Sequence, residues 1–305
     1  MGSAAFSIPS LESLLQSPYR VVGVITNQEK PAGRGLHARP TPVAELAENH
    51  GIDTITPATL RQNSEALAWV RGHDPDIIVV VAYGKLIPPE IVHLPPYGCL
   101  NVHPSLLPAY RGAAPIQRAL MHGDAKTGTT IMMLDEGMDS GPVLMQEEMA
   151  VEASDNAITL GKRLSARGAE LLLKTIGLLE QKRIEPVAQQ HDRATLAPRI
   201  TKADGRLDFN RSAAELNNTV RALIEWPGTW TTCKGQAVHV LATELSGHTS
   251  VLPAGYIISI DKQGIHTATG DGVLILRSVK PSGGTAMDAF SYANGRRLKA
   301  GDVLE

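Results

Sequence analysis

The sequence predicts an α/β protein in two parts: an amino-terminal domain on a mainly parallel sheet, then a small carboxy-terminal β-barrel. Three observations carry that prediction. Strand-like apolar runs alternate with helix-spaced segments through residues 1–182, the pattern of a sheet covered by helices. Residues 76–82 (DIIVVVA) form an almost continuous β-branched run, as a strand buried on both faces requires. After Gly228 the pattern changes to short strands separated by glycine turns.

Taken in order, Ile8, Leu11, Leu14 and Leu15 have helical spacing, so 9–16 reads as a short helix with proline at its start. Residues 19–26 (YRVVGVIT) read as a buried strand, and 27–42 as a long loop rich in Pro, Gly and Arg. A helix over 42–49 ends near Gly51; an extended run at 52–55 and a helix over 63–71 precede the 76–82 strand. Residues 98–103 and 129–134 are strands, and 156–180 is one long helix with Leu160, Leu164, Leu171, Leu172 and Ile176 on a buried stripe. Residues 183–205 are polar, carry Pro186 and Pro198 and lack periodicity, so they read as a linker between domains 1–182 and 206–305. Ser212 and Glu215 form a capping box that opens a helix; strands at 230–233, 238–243, 255–260, 264–268 and 273–279 then make the barrel.

Composition narrows the function classes. With 43% hydrophobic and 20% charged residues the chain is an ordinary globular protein, and no stretch reads as a membrane span or a signal peptide. Cys99 and Cys233 lie far apart and give no disulfide framework, which points to the cytoplasm. A net charge of −2 argues against dominant nonspecific nucleic-acid binding but permits a local basic patch. Lys30, Arg34 and Arg39 make the 27–42 loop such a patch, open between a binding role and simple solvation.

The chemistry concentrates in residues 98–141. Alternation on the 98–103 strand puts Cys99, Asn101 and His103 on one face, and Pro104 ends the run. The carboxyl end of such a strand is where open α/β sheets place ligands. The loop after 129–134 brings Asp135, Gly137, Asp139 and Gly141. Asn101 can donate to a developing oxyanion, His103 can donate or shuttle a proton, and Asp139 can orient the imidazole. No Ser or Cys nucleophile of comparable quality is present, and Cys99 reads as a core thiol. The residues alone indicate acyl transfer without a covalent enzyme intermediate. Three plainer alternatives stay open: His103 as a structural histidine, the two aspartates as turn formers, and a metal held by His103 with both of them, which no recognised ligand spacing supports. Arg111, opening the next helix, is open between a packing role and a solvated charge.

NVHPSLLPAYRGAAPIQRAL followed by DEGMDSG resembles the signature of the 10-formyltetrahydrofolate-dependent formyltransferases. The GAAPIQ extension, PAGRG at 31–35 and WPG at 226–228 resemble the branch that formylates methionyl initiator tRNA, and the likeness runs almost from end to end. The resemblance implies a Rossmann-like catalytic domain, an OB-like barrel and 10-formyltetrahydrofolate as co-substrate, with no metal. It implies catalytic roles for Asn101, His103 and Asp139, with Asp135 shaping the loop. It implies folate contacts from Tyr83 and Gly84 and from Ser105, Leu106, Leu107 and Pro108; Tyr83-Gly84 is equally a strand-to-loop turn, whereas for Leu106 and Leu107 the proline-flanked segment beside the catalytic strand favours contact over a core role. It also places Arg34 and Arg39 against the tRNA, with LHAR following PAGRG where relatives often carry paired lysines. A monomer is expected.

Two rivals remain: a sister enzyme formylating a small amine such as a sugar nucleotide, and a noncatalytic RNA-binding protein on the same scaffold. The opening MGSAAFSIPSL aligns with a family segment that usually follows a short apolar strand. That strand is central in a doubly wound sheet, so the reading frame is expected to extend upstream by about five to eight apolar residues.

Overall fold

The computed structural model describes residues 1–32 and 37–305, and the chain divides into two compact units. The first comprises Met1–Pro115, Lys126–Ala150 and Gly161–Pro198; the second comprises Ile116–Ala125, Val151–Leu160 and Arg199–Glu305.

In the first unit, Ile78–Val80 pairs in parallel with Cys99–His103, which pairs antiparallel with Lys126–Met133, itself antiparallel to Val143–Ala150. Val24–Ile25 and Thr54–Ile55 form a separate parallel pair. The sheet is thus mixed: parallel across the connection that carries the Pro89–Val92 helix, antiparallel across the one that carries the Pro115–His122 helix and across the 134–142 loop. Alternation holds on the central strand. Leu100 and Val102 pack against Leu171, Leu172 and Ile176 of the long helix, whereas Cys99 joins Ile25, Val80 and Tyr83 on the other face.

The helices follow their local signals. Thr41 and Asn63 cap Pro42–Asn49 and Ser64–Gly72 by accepting from backbone N–H groups, and Asn156 accepts from Ile158 and Thr159 at the start of Ala157–Glu180.

The strands at 19–26 and 76–82 are shorter than their apolar runs. Between Val24–Ile25 and Ile78–Val80, the Gly2 N–H donates to Ile25 O and the Val81 N–H to Met1 O. Further along, a cavity of about 660 Å³ is lined by Leu11, Val21, Val22, Ile77 and Val79. Residues 21–23 face this space rather than a neighbouring strand, so the ladder is short although the hydrophobic run is long.

The 183–205 segment departs from the expected linker. Val187 exchanges two 2.8 Å backbone hydrogen bonds with Val143, and Leu196–Ala197 pairs in parallel with Arg111–Gly112. Residues 183–198 therefore belong to the first unit, and 199–205 to the second. A polar, aperiodic stretch reads as a linker, but its backbone can still extend sheet edges, and hydrophobic patterning does not report that.

The second unit is an antiparallel sheet in the order Thr229–Cys233, Gln236–Leu245, Val273–Pro281, Gly264–Ala268 and Ile257–Asp261. Residues 303–305 close it. Leu304 bridges to Cys233 on one edge and Val303 to Tyr256 on the other, so both edges are paired and a barrel results. Leu207, Leu216, Val240, Ile257, Leu274 and Val279 are among the residues that fill its core. The predicted capping box is present: Ser212 Oγ accepts from the Glu215 N–H, and the Glu215 carboxylate from the Ser212 N–H.

Candidate active site

Asn101 and His103 stand at the carboxyl end of Cys99–His103, and the loop between Lys126–Met133 and Val143–Ala150 brings Asp139 to both. One carboxylate meets three groups. Asn101 Nδ2 lies 3.4 Å from Asp139 Oδ1, His103 Nδ1 3.6 Å from Oδ2, and the Gly112 N–H donates to Oδ2 at 2.8 Å. Only the last is a short hydrogen bond; the other two are at the edge of contact.

His103 is 4% exposed, and its Nε2 lies 3.0 Å from the Tyr110 carbonyl. A carbonyl only accepts, so Nε2 carries the proton and the neutral ring leaves Nδ1 bare beside Asp139. Burial lowers the His103 pKa below its ordinary 6.5, and the Asp139 charge and the Tyr110 carbonyl only partly offset it. His103 is therefore a neutral base at pH 7.

Asp135 and Asp139 have separate duties. Asp135 accepts from the Gly137 N–H and from Ser140 Oγ, so its carboxylate organises the loop, as expected. Gly141 has no alternative, since a Cβ there would run into the Met133 carbonyl. Asp139 adopts φ +50°, a left-handed conformation uncommon outside glycine. Cys99 is buried, and desolvation pushes its thiol up to about 12, which suits a core residue and not a nucleophile.

The remaining candidates are placed unevenly. Ser105 is fully buried and engaged within the fold: its Oγ donates to Ala109 O, its N–H to His103 O, and its carbonyl accepts from Thr130 Oγ1. Leu107 is buried too, with its N–H donating to Thr130 Oγ1 and its carbonyl accepting from Gln146 Nε2. Of that segment Leu106 and Pro108 keep partial exposure. The Tyr83 side chain is buried and its carbonyl accepts from Asn27 Nδ2, while Ala82 and Gly84 on either side are exposed. Arg39 is exposed, on a strand (His37–Arg39) paired antiparallel with Lys30–Ala32; Arg34 lies outside the described residues. Among the described residues no group of three or more His, Cys, Asp or Glu could hold a metal, and no helix is long and apolar enough to cross a membrane.

Sequence reasoning missed Tyr110, Gly112 and Gln189. Tyr110 and Gly112 act through backbone groups, which no side-chain pattern reports. Gln189 Nε2 donates to the carbonyls of Asp139 at 2.9 Å and Gly141 at 2.7 Å, from a stretch with no periodicity to mark it.

The formyl transferase family model matches residues 4–176, and the model of the formyl transferase C-terminal domain matches 199–297. The chain belongs to the formyl transferase family. A methionyl-tRNA formyltransferase from Caldicellulosiruptor saccharolyticus is 41% identical over 307 residues, covering 100% of this chain and 98% of that protein. One from Sulfurihydrogenibium sp. is 40% identical over 305 residues, with the same coverage. Among solved structures, WlaRD, a sugar 3N-formyl transferase determined with dTDP and 5-N-formyl-THF, superposes with a TM-score of 0.66 at 16% identity. It covers 90% of this formyl transferase and 94% of its own chain. An N-formyltransferase from Helicobacter canadensis, in complex with folinic acid and dTDP-3-aminofucose, also gives 0.66 at 16% identity, covering 90% and 96%. These two share the fold of the present formyl transferase.

Proposed function

We infer that this formyl transferase moves the formyl group of 10-formyltetrahydrofolate to the α-amine of methionyl initiator tRNA. The observation that carries this reading is one carboxylate, Asp139, meeting both Asn101 and His103 in a chain that matches methionyl-tRNA formyltransferases along its whole length.

The folate is consumed and is a substrate, not a resident group. An α-amino group has a pKa near ~8, so a fair share is a neutral nucleophile at pH 7. The chain then has three tasks: to align amine and formyl carbon, to hold the carbonyl oxygen as it gains charge, and to move one proton. Asn101 Nδ2 donates to that oxygen. His103 Nδ1 takes the proton from the attacking amine, while its Nε2–H stays on the Tyr110 carbonyl. Asp139 Oδ2, beside Nδ1, stabilises the imidazolium that forms, and the same proton passes to N10 as the leaving group departs.

The exposure of Ala82 and Gly84 supports a pterin-contacting role for that turn. From 105–108, Leu106 and Pro108 supply apolar contact, whereas Ser105 acts through the frame it builds. Arg34 and Arg39 would meet the tRNA. The reading places the enzyme in the cytoplasm, working as a monomer, with its chemistry in the unit that includes 183–198 and its barrel in 199–305.

Transfer of radiolabelled formyl groups to charged initiator tRNA, run beside a panel of amino sugars and other small amines, tests the assignment. Label on the tRNA is expected. Label confined to a small amine would transfer the assignment to a sister enzyme, and no label on any acceptor would remove catalysis.

A further inference from the structure

We propose that Gln189 is a positioning residue for Asp139, held in place by Arg111, so that the 183–198 segment sets the geometry of the catalytic carboxylate. The inference rests on the reading of Asp139 as a working member of the site.

Gln189 is 7% exposed and uses every hydrogen-bonding capacity of its amide. Nε2 donates to the carbonyls of Asp139 and Gly141, on the two sides of Ser140. Oε1 accepts from Arg111 Nε at 3.1 Å and Nη2 at 2.7 Å. Partner chemistry fixes the amide orientation, because carbonyls only accept and a guanidinium only donates. Arg111 Nη2 also lies 3.1 Å from His191 Nδ1, and a guanidinium only donates.

The contacts close a ring. Arg111 holds Gln189, Gln189 holds the Asp139 backbone, and the Asp139 carboxylate accepts from Gly112, the residue next to Arg111. Gly112 itself (φ +121°) admits no side chain, since a Cβ would lie 2.8 Å from the Ala197 carbonyl on the paired strand. The arrangement answers a specific need. Asp139 stands at an unfavourable φ, and its contacts to Asn101 and His103, at 3.4 and 3.6 Å, are at the edge of interaction. A small displacement of its backbone would break both, and misplacement by about 1 Å can cost ~100-fold in rate. Ring members other than Asp139 need not touch substrate.

A double-mutant cycle on the full chain tests this, with Gln189→Leu and Asp139→Asn measured singly and together for kcat, folate KM and melting temperature. Gln189→Leu is expected to lower kcat by about 10-fold or more with folate KM within about twofold. It should add almost nothing in the Asp139→Asn background, because Gln189 acts only through Asp139. It should also move the acid limb of the kcat profile downward, as withdrawal of the carboxylate from His103 requires.

Wild-type kcat for Gln189→Leu, or the same loss in both backgrounds, overturns the proposal. Should Gln189→Leu not fold, Gln189→Glu carries the cycle, since it keeps the side-chain volume and the Arg111 contacts but cannot donate to the two carbonyls. Loss of the fold in both would make Gln189 structural and overturn the proposal equally. Full activity of Asp139→Asn would instead remove the site reading beneath it. An impaired Asp139→Asn beside a normal Gln189→Leu would remove the positioning role alone.

Discussion

Two segments flank His103, and they use their polar groups in opposite ways. The 134–141 loop turns the Asp139 carboxylate toward Asn101 and His103 while Asp135, Ser140 and Gly141 build the turn beneath it. The 105–108 segment directs the hydrogen-bonding groups of Ser105 and the backbone of Leu107 into the fold, chiefly onto Thr130, Ala109 and Gln146. Both stand out equally in the sequence. One is conspicuous for its chemistry, the other for the hydrogen-bonded frame that it builds next to the strand end.

The sharpest way to break this contrast is to alter two of the three groups assigned to the reaction. Asp139→Asn and His103→Ala should each lower turnover by at least about 100-fold with folate binding much less affected. Near-normal single-turnover rates in both would place the chemistry elsewhere. Arg34→Ala comes next. It should lower kcat/KM for tRNA by about 10-fold, the scale of one charge-assisted phosphate contact, and leave folate affinity unchanged. An equal loss with a small-amine acceptor would show that Arg34 does not act on the tRNA.

Ser105→Ala removes a buried hydroxyl and leaves the Ala109 carbonyl unpaired. A loss of about 1–3 kcal/mol in denaturant unfolding is expected, with folate KM nearly unchanged. A large rise in folate KM without loss of stability would make Ser105 a ligand contact after all. Asp135→Asn, which retains an oxygen for the Gly137 N–H, should cost less than about 10-fold in kcat, and a loss as large as that of Asp139→Asn would erase the division of labour between them.

The smallest effect is in pH dependence. Burial holds the His103 pKa below 6.5, so the acid limb of kcat should fall below that value. In Asp139→Asn the residual activity should show a limb lower still, because the neighbouring charge that favours imidazolium is gone. A limb at or above 6.5 in the wild type would contradict a neutral, desolvated imidazole. The same shift bears on stability. Between the lowered folded value and 6.5 the unfolded chain binds the proton more readily, so this group's contribution is full above pH 6.5 and declines as pH falls below it.

Much of this was legible in the chain itself. Apolar spacing and the Ser212 capping box placed helices, and the structure adds caps at Thr41, Asn63 and Asn156, all through contacts within a few residues. Period-two alternation put Asn101 and His103 on one face and Leu100 and Val102 on the other, and glycine spacing announced the barrel strands. What the sequence could not determine depends on partners distant in the chain. Closure of the barrel needs residues 303–305 to meet both Cys233 and Tyr256. The inward engagement of Ser105 needs Thr130 and Ala109, and the tautomer of His103 is decided by a carbonyl seven residues on, at a Tyr110 with φ +61°. Segment 183–198 is the clearest case. Composition makes it a linker, and only the fold turns its backbone into a sheet edge and Gln189 into a bridge to Asp139. Local patterns record the face that each residue presents, but a hydrogen bond that crosses 50 residues is specified by the meeting of two surfaces, and that meeting exists only once the core has formed.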